Sequence, residues 1–336
     1  MFDFIPTEYF LLVFGFILLI KGGDWFVEAA SAIAKRFKLP ELLIGATVVS
    51  IGTTLPEVMT SAMGAVSGSG EIAYGNAIGS IICNTALIAA ITIAIKPGKA
   101  DKKTLIFPVC FFFGAAIFYS LNAYIGGGFE RWTGIVLLVG FVAYMIINVI
   151  NMKKNPTADE DELSECEIAE AKESSVGLIK DIAVLIAGAA VIAVGAYLLV
   201  ESATSIAEQL GVPESVIGLT VVAIGTSLPE LVTAITSLIK GHGALSLGNI
   251  IGANIFNLVL VSGVSVAISP FPVPENSVLF GQNASFILDI PVMFAVMAIM
   301  TLPAIFKGKL SRWQGISLLG IYAAFMIMQF VFVRAV

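Results

Sequence analysis

The sequence predicts an all-α integral membrane protein with ten transmembrane helices, arranged as two inverted-topology repeats of five. Three observations carry that prediction. Of 336 residues, 58% are hydrophobic and only 12% charged, with a mean hydropathy of +0.97, more apolar surface than a soluble domain can use. The hexapeptide Gly52-Thr53-Thr54-Leu55-Pro56-Glu57 returns as Gly225-Thr226-Ser227-Leu228-Pro229-Glu230, at an offset of 230 − 57 = 173. The basic residues, finally, fall on one side of the membrane once ten spans are counted.

Hydropathy and turn signals place the segments at about 8–34, 41–67, 72–95, 104–125 and 131–151, then 178–210, 214–240, 244–268, 284–306 and 312–333. The first half therefore spans 1–151 and the second 178–336, joined by a polar linker, 152–177, that holds Asp159-Glu160-Asp161-Glu162 and further acids to Glu173. The first segment ends in Lys35, Arg36 and Lys38, and the second follows Leu39-Pro40-Glu41. Segment three opens with Gly75-Asn76, and Lys96, Lys99, Lys102 and Lys103 separate it from segment four. With the N-terminus outside, the inward loops also hold Lys153, Lys154, Lys172, Lys180, Lys240, Lys307, Lys309 and Arg312. The outward side holds only Arg131 and Arg334, and Lys21 lies within the first segment. This bias predicts a multi-pass protein of the cell membrane, both termini outside and the acidic linker in the cytoplasm.

The repeat extends beyond the hexapeptide. At the same offset Gly15 meets Gly188, Glu28 meets Glu201, Gly75-Asn76 meets Gly248-Asn249, Ile78-Gly79 meets Ile251-Gly252 and Asn84 meets Asn257. Segments five and ten echo each other as Arg131-Trp132-Thr133-Gly134 and Arg312-Trp313-Gln314-Gly315. Five spans per half is an odd number, so the second half lies upside down relative to the first. Inverted repeats with interrupted helices at matching positions point to a secondary transporter and to its site.

A carboxylate at membrane depth costs roughly 2.5–3.5 kcal/mol on insertion scales, so Glu57 and Glu230 are functional candidates by default. Pro56 and Pro229 remove the hydrogen bonds to the carbonyls of Gly52 and Gly225 and loosen that turn of each helix. On a helix, Glu57 shares a face with Thr53, Ser50 and Thr60, and Glu230 with Thr226 and Thr233, Ala223 standing where Ser50 does. Segments three and eight bring Gly75, Gly79 and Ser80, and Gly248, Gly252 and Ala253, small residues that let helices approach closely. Asn84 and Asn257 add amide oxygens, although buried asparagine is also common helix-packing glue. These are hard oxygen ligands, suited to Ca²⁺ or Na⁺.

Other features exclude other functions. The net charge of −6, with basic residues in short loops, is no nucleic-acid footprint. Cys83, Cys110 and Cys166 lack metal spacing; the first two read as apolar filler, the third as a loop thiol. No phosphate loop, nucleophile pair or zinc motif is present, so the chain is not expected to be an enzyme or to hold a tight cofactor, and no obligate protein partner is signalled. The linker lacks the glycine turn and ligand spacing of an EF-hand, and the acidic N-terminus lacks the basic region of a removed signal peptide. Lys21, Asp24 and Glu28 read as a structural pair or as snorkelling residues, with a gating role for Glu28 and Glu201 left open. His242 reads as a solvated loop residue.

With Gly-Thr-Thr/Ser-Leu-Pro-Glu in both halves, each followed by Gly-Asn-x-Ile-Gly, the chain resembles the cation/calcium antiporter superfamily, and most of all its prokaryotic sodium/calcium exchangers. That resemblance covers the whole chain. It implies four sites in a diamond between segments two, three, seven and eight. Glu57 and Glu230 would bridge Ca²⁺, aided by oxygens of Thr53 and Thr226. Thr54, Ser227, Ser80, Asn84 and Asn257 would help bind Na⁺, along with carbonyls at Ser50 and Ala223. Segments one and six would slide across this core to alternate access. Two positions depart from the family: Asn257 stands where Asp is common, and Ala253 where a serine is expected. They keep H⁺ open as an alternative counter-ion; a cation channel is a more distant alternative.

Overall fold

The computed structural model describes residues 7–37, 39–68, 70–154, 175–209, 223–274, 277–332 and 334–335. The helices are α1 Thr7–Arg36, α2 Leu42–Val66, α3 Gly70–Ile95, α4 Lys102–Gly126 and α5 Arg131–Lys154, then α6 Ser175–Gln209, α7 Leu228–Ile239, α8 Gly243–Ile268, α9 Ser285–Lys307 and α10 Arg312–Phe332. Among the described residues nine are long and apolar enough to cross a bilayer, and α7 is a shorter apolar helix. The expected start of segment seven, the acidic run of the linker and Cys166 lie outside the described residues. Helix α5 runs on to Lys154 and α6 begins at Ser175, so the helices reach a few residues into the range read as linker.

Short backbone pairings between loops test the count of spans. Strand β1 (Gly128–Phe129), between α4 and α5, pairs with β2 (Phe271–Pro272), between α8 and α9. Lys99, between α3 and α4, bridges Lys309, between α9 and α10. In a ten-span chain each pairing joins loops on the same side of the membrane, and the two lie on opposite sides.

The inverted relation is visible where α1 packs on α6. A Cβ at Gly15 would lie 2.9 Å from the Gly195 carbonyl oxygen, and one at Gly22 would lie 3.1 Å from that of Gly188. The offset of 173 pairs Gly15 with Gly188 and Gly22 with Gly195, so exchanging the halves turns one contact into the other. The order of contacts also reverses along the two chains, so the helices are antiparallel and a two-fold axis passes between them. Small residues permit this approach, which in lipid rests on packing rather than on hydrophobic burial. Arg36 of α1 and Asp181 of α6 add an ion pair at 3.3 Å.

Helices α8 and α3 are the most enclosed and α10 the least. The apolar core lies among α3, α4, α5, α8 and α9, around Phe112, Tyr119, Tyr144 and Phe256. Cys83 is buried, as filler would be, but Cys110 lies on the exposed surface of α4, a position open to any apolar residue.

Candidate ion-binding site

Helix α2 crosses α8 at near backbone contact. A Cβ on Gly252 would sit 2.2 Å from the Ser50 hydroxyl oxygen, and one on Gly45 would sit 2.4 Å from the Leu245 carbonyl oxygen. That approach delivers Ser50 and Thr53 to Asn249. The Ser50 hydroxyl lies 2.8 Å from the Gly45 carbonyl, 3.0 Å from the Asn249 carbonyl and 3.3 Å from the Asn249 side-chain oxygen, which also accepts from Thr53 at 3.3 Å. The Asn249 amide donates to Thr233 at 2.9 Å, and the Thr233 hydroxyl lies within 2.9 Å of the Pro229 carbonyl and 3.1 Å of the Glu230 carbonyl. In the first half Asn76 repeats the theme, donating to the Glu57 carbonyl at 3.1 Å and to Ser61 at 2.8 Å. Ser61, rather than the expected Thr60, is the fully buried member of that face.

Local helix geometry differs from the ideal where these residues stand. Residues Gly45–Val49 are π-helical immediately before Ser50, and further π segments start at Asn84 and at Asn257, which the repeat pairs. Wide turns of this kind recur at functional sites because they re-aim side chains and free backbone groups. The Asn84 segment packs against α7 and the Asn257 segment against the second half of α2, so each repeat lends its asparagine segment to the other's glutamate helix. The two prolines act differently. Pro56 lies inside a continuous helical stretch, Ser50–Val66, so the first copy does not open as expected. Pro229 sits in the first turn of α7, where its missing N–H is harmless, and Ser227 separates it from the short helix Ala223–Thr226.

Glu57 and Glu230 are both 0% exposed and close enough to interact electrostatically. Glu230 accepts from the Thr54 hydroxyl at 3.4 Å, and three of the four carboxylate oxygens have no protein donor. Both amide atoms of Asn84, both of Asn257 and the Ser227 hydroxyl likewise lack protein partners and are buried. Leaving a buried charged acceptor unsatisfied costs more than the roughly 1–3 kcal/mol of a neutral one. The carboxylate, amide and hydroxyl oxygens among these buried atoms, spread over four helices, are candidate ligands for a cation. Ser80 is also buried, Thr226 is half-buried and ends its short helix, and Ala223 is placed by its backbone alone. Among the described residues no group of three or more His, Cys, Asp or Glu side chains gathers. Two carboxylates and neutral oxygens are the donor set of a hard cation, not of zinc.

Asn249 and Asn76 were legible in the sequence only as a repeated Gly-Asn packing signal. Their hydrogen bonds to Ser50, Thr53, Thr233 and Ser61 depend on how the helices cross, which no spacing within one helix reveals. A cavity of about 310 Å³ lies away from the carboxylates, bordered by Thr92, Lys96, Lys99, Leu238 and Ser246. Its lysines carry the wrong sign for a cation path.

Comparison with known proteins agrees with this geometry. The family model described as sodium/calcium exchanger protein matches residues 7–150 and 180–331. The sodium/calcium exchanger MaX1 of Methanosarcina acetivorans is 32% identical, over 97% of this chain and 99% of that protein. The inner membrane protein YrbG of Escherichia coli is 33% identical, over 85% of this chain and 87% of its own length. The structure of the sodium-calcium exchanger NCX_Mj soaked with 10 mM Na⁺ and zero Ca²⁺ superposes with a TM-score of 0.79 at 33% identity, covering 96% of this chain and 98% of that one. A doubled glutamate motif, an antiparallel repeat and a match along both halves lead to one conclusion: this chain is a transporter, not an enzyme, and belongs to the sodium/calcium exchanger family.

Proposed function

We propose that this protein is a secondary antiporter that moves Ca²⁺ out of the cytoplasm against an inward flow of Na⁺, by alternating access. The observation that carries this reading is the pair of fully buried carboxylates, Glu57 and Glu230, with three of their four oxygens lacking a protein donor. Two ionised glutamates carry about −2, which one Ca²⁺ neutralises. Three Na⁺ would leave the site near +1. Coupling needs only that the two ions compete for one carboxylate pair and that the empty site resists crossing the membrane, since two unpaired buried carboxylates are expensive.

In this reading Glu57 and Glu230 hold Ca²⁺ with oxygens of Thr53 and Thr226. Na⁺ uses Thr54, Ser227, Ser80, Asn84 and Asn257, with the carbonyls of Ser50 and Ala223. The halves at 1–151 and 178–336 alternate about the site, and the positive-inside bias puts the termini outside and the linker in the cytoplasm. H⁺ is the second reading for the counter-ion, favoured by Asn257 and Ala253, which supply neither the carboxylate nor the hydroxyl common in the family. The test is ⁴⁵Ca²⁺ uptake into proteoliposomes under an outward Na⁺ gradient and, separately, an outward H⁺ gradient. Uptake driven by Na⁺ and indifferent to proton collapse is expected. Uptake driven by H⁺ alone would keep the Ca²⁺ site and discard the Na⁺ assignments.

A further inference from the structure

Helix α1 rests on α7 through Gly23, whose Cβ would lie 2.6 Å from Val232 and 3.1 Å from the Thr236 hydroxyl oxygen. At the end of that contact Lys240 reaches back to α1. Its ammonium lies 2.7 Å from Glu28 Oε1, 3.3 Å from Asp24 Oδ1 and 3.4 Å from the Asp24 carbonyl. Partial burial works against that charge, but the Glu28 and Asp24 carboxylates outweigh it and hold the ammonium above its ordinary lysine value. The repeat offset of 173 gives the mirror of this contact: Ala196 for Gly23, Met59 for Val232 and Met63 for Thr236. That mirror contact is open here, with Met59 68% and Met63 70% exposed, whereas Val232 and Thr236 are half-buried. The α1–α6 pair touches α2 where Phe26 and Ala189 face Gly52, but at this end it packs on α7 and leaves the mirror contact on α2 unmade. An inverted-repeat exchanger reaches its opposite conformer by exchanging those two arrangements.

The same offset shows what the opposite conformer lacks. Glu28 keeps its counterpart in Glu201, but Asp24 becomes Tyr197 and Lys240 becomes Ser67. Docking α6 on α2 would bring Glu201 to a serine instead of a lysine. We propose that Lys240, between Asp24 and Glu28, is a one-sided latch: an ion pair available to only one of the two conformers, which biases the exchanger toward the arrangement described here. By the positive-inside bias the latched end is the cytoplasmic one, so the favoured conformer is closed to the cytoplasm. The bias is modest, because ion pairs this exposed shift an equilibrium by about two- to fivefold.

The latch rests on alternating access but not on the identity of the ions, so its test uses distances rather than flux. Spin labels at Met63→Cys on α2 and Val194→Cys on α6, in a cysteine-free background, report a short distance when α6 docks on α2 and a longer one otherwise. In ion-free nanodiscs, Lys240→Gln should raise the short-to-long population ratio about two- to fivefold, and the Asp24→Asn/Glu28→Gln pair should do the same. Ser67→Lys, which supplies the missing mirror cation and leaves the latch intact, should shift the ratio in the same direction. A ratio indifferent to Lys240→Gln, or to the double acid variant, overturns the latch. One indifferent to Ser67→Lys overturns the mirror docking on which its one-sidedness rests.

Discussion

At the residue scale the structure contrasts a bonded framework with buried oxygens left without protein partners. Ser50, Thr53, Thr54 and Thr233 donate their hydroxyls to protein acceptors, while both carboxylate oxygens of Glu57 and one of Glu230 receive no protein donor. Glu57→Gln or Glu230→Gln should therefore abolish ⁴⁵Ca²⁺ flux in proteoliposomes while leaving the protein folded and monodisperse by size-exclusion chromatography. Normal exchange in either variant would sink the site assignment. Asn249→Ala should act through the framework instead. It removes the Asn249 side-chain partner of Ser50, Thr53 and Thr233, of which Ser50 and Thr233 keep backbone carbonyls, and should lower stability by about 1–3 kcal/mol, read as a drop in melting temperature, with weaker apparent Ca²⁺ affinity. The glutamates were legible in the sequence because a carboxylate has no ordinary reason to stand at membrane depth and because their motif is written twice. Asn249 was not, because its partners come from another helix.

At the element scale the helices meet through glycine rather than through interlocking large side chains. Gly252 has no room for a methyl group against Ser50. Gly252→Val should force α2 and α8 apart and cost about 1–3 kcal/mol, the range for overpacking a filled site, with thermal unfolding as the measure. Gly75 and Gly79, with nothing described within 4 Å of a built Cβ, are not expected to share that cost. Among the described residues, which omit the start of segment seven, hydropathy located the nine span-length helices to within a few residues, because their apolar length is fixed by the bilayer. It missed the π segments at Gly45, Asn84 and Asn257, since one extra residue per turn barely changes the mean hydropathy of a window. Ser61 rather than Thr60 faces inward because it stands four residues, about one α-helical turn, after Glu57 in the regular stretch Ser50–Val66. Nor did the doubled proline foretell that only the second copy breaks, at Ser227, since a proline in a first turn and one in mid-helix share the same local sequence.

At the scale of the whole molecule, Na⁺/Ca²⁺ exchange with one net charge per cycle should respond to voltage. Each charge moved is worth about 2.3 kcal/mol per 100 mV. Three Na⁺ leaving for one Ca²⁺ entering carries one positive charge out, so clamping proteoliposomes interior-positive should favour net Ca²⁺ entry, and a potential without effect on the equilibrium distribution would indicate an electroneutral cycle. The seam between α1 and α6 has a further consequence. Because Gly15 meets Gly195 as Gly188 meets Gly22, it is an isologous interface, of the kind two identical subunits make across a two-fold axis. Two copies of a five-helix chain, threaded into the bilayer in opposite directions, would form the same seam. Within one chain the two halves need not be identical, and Lys240 opposite Ser67 is one place where they differ.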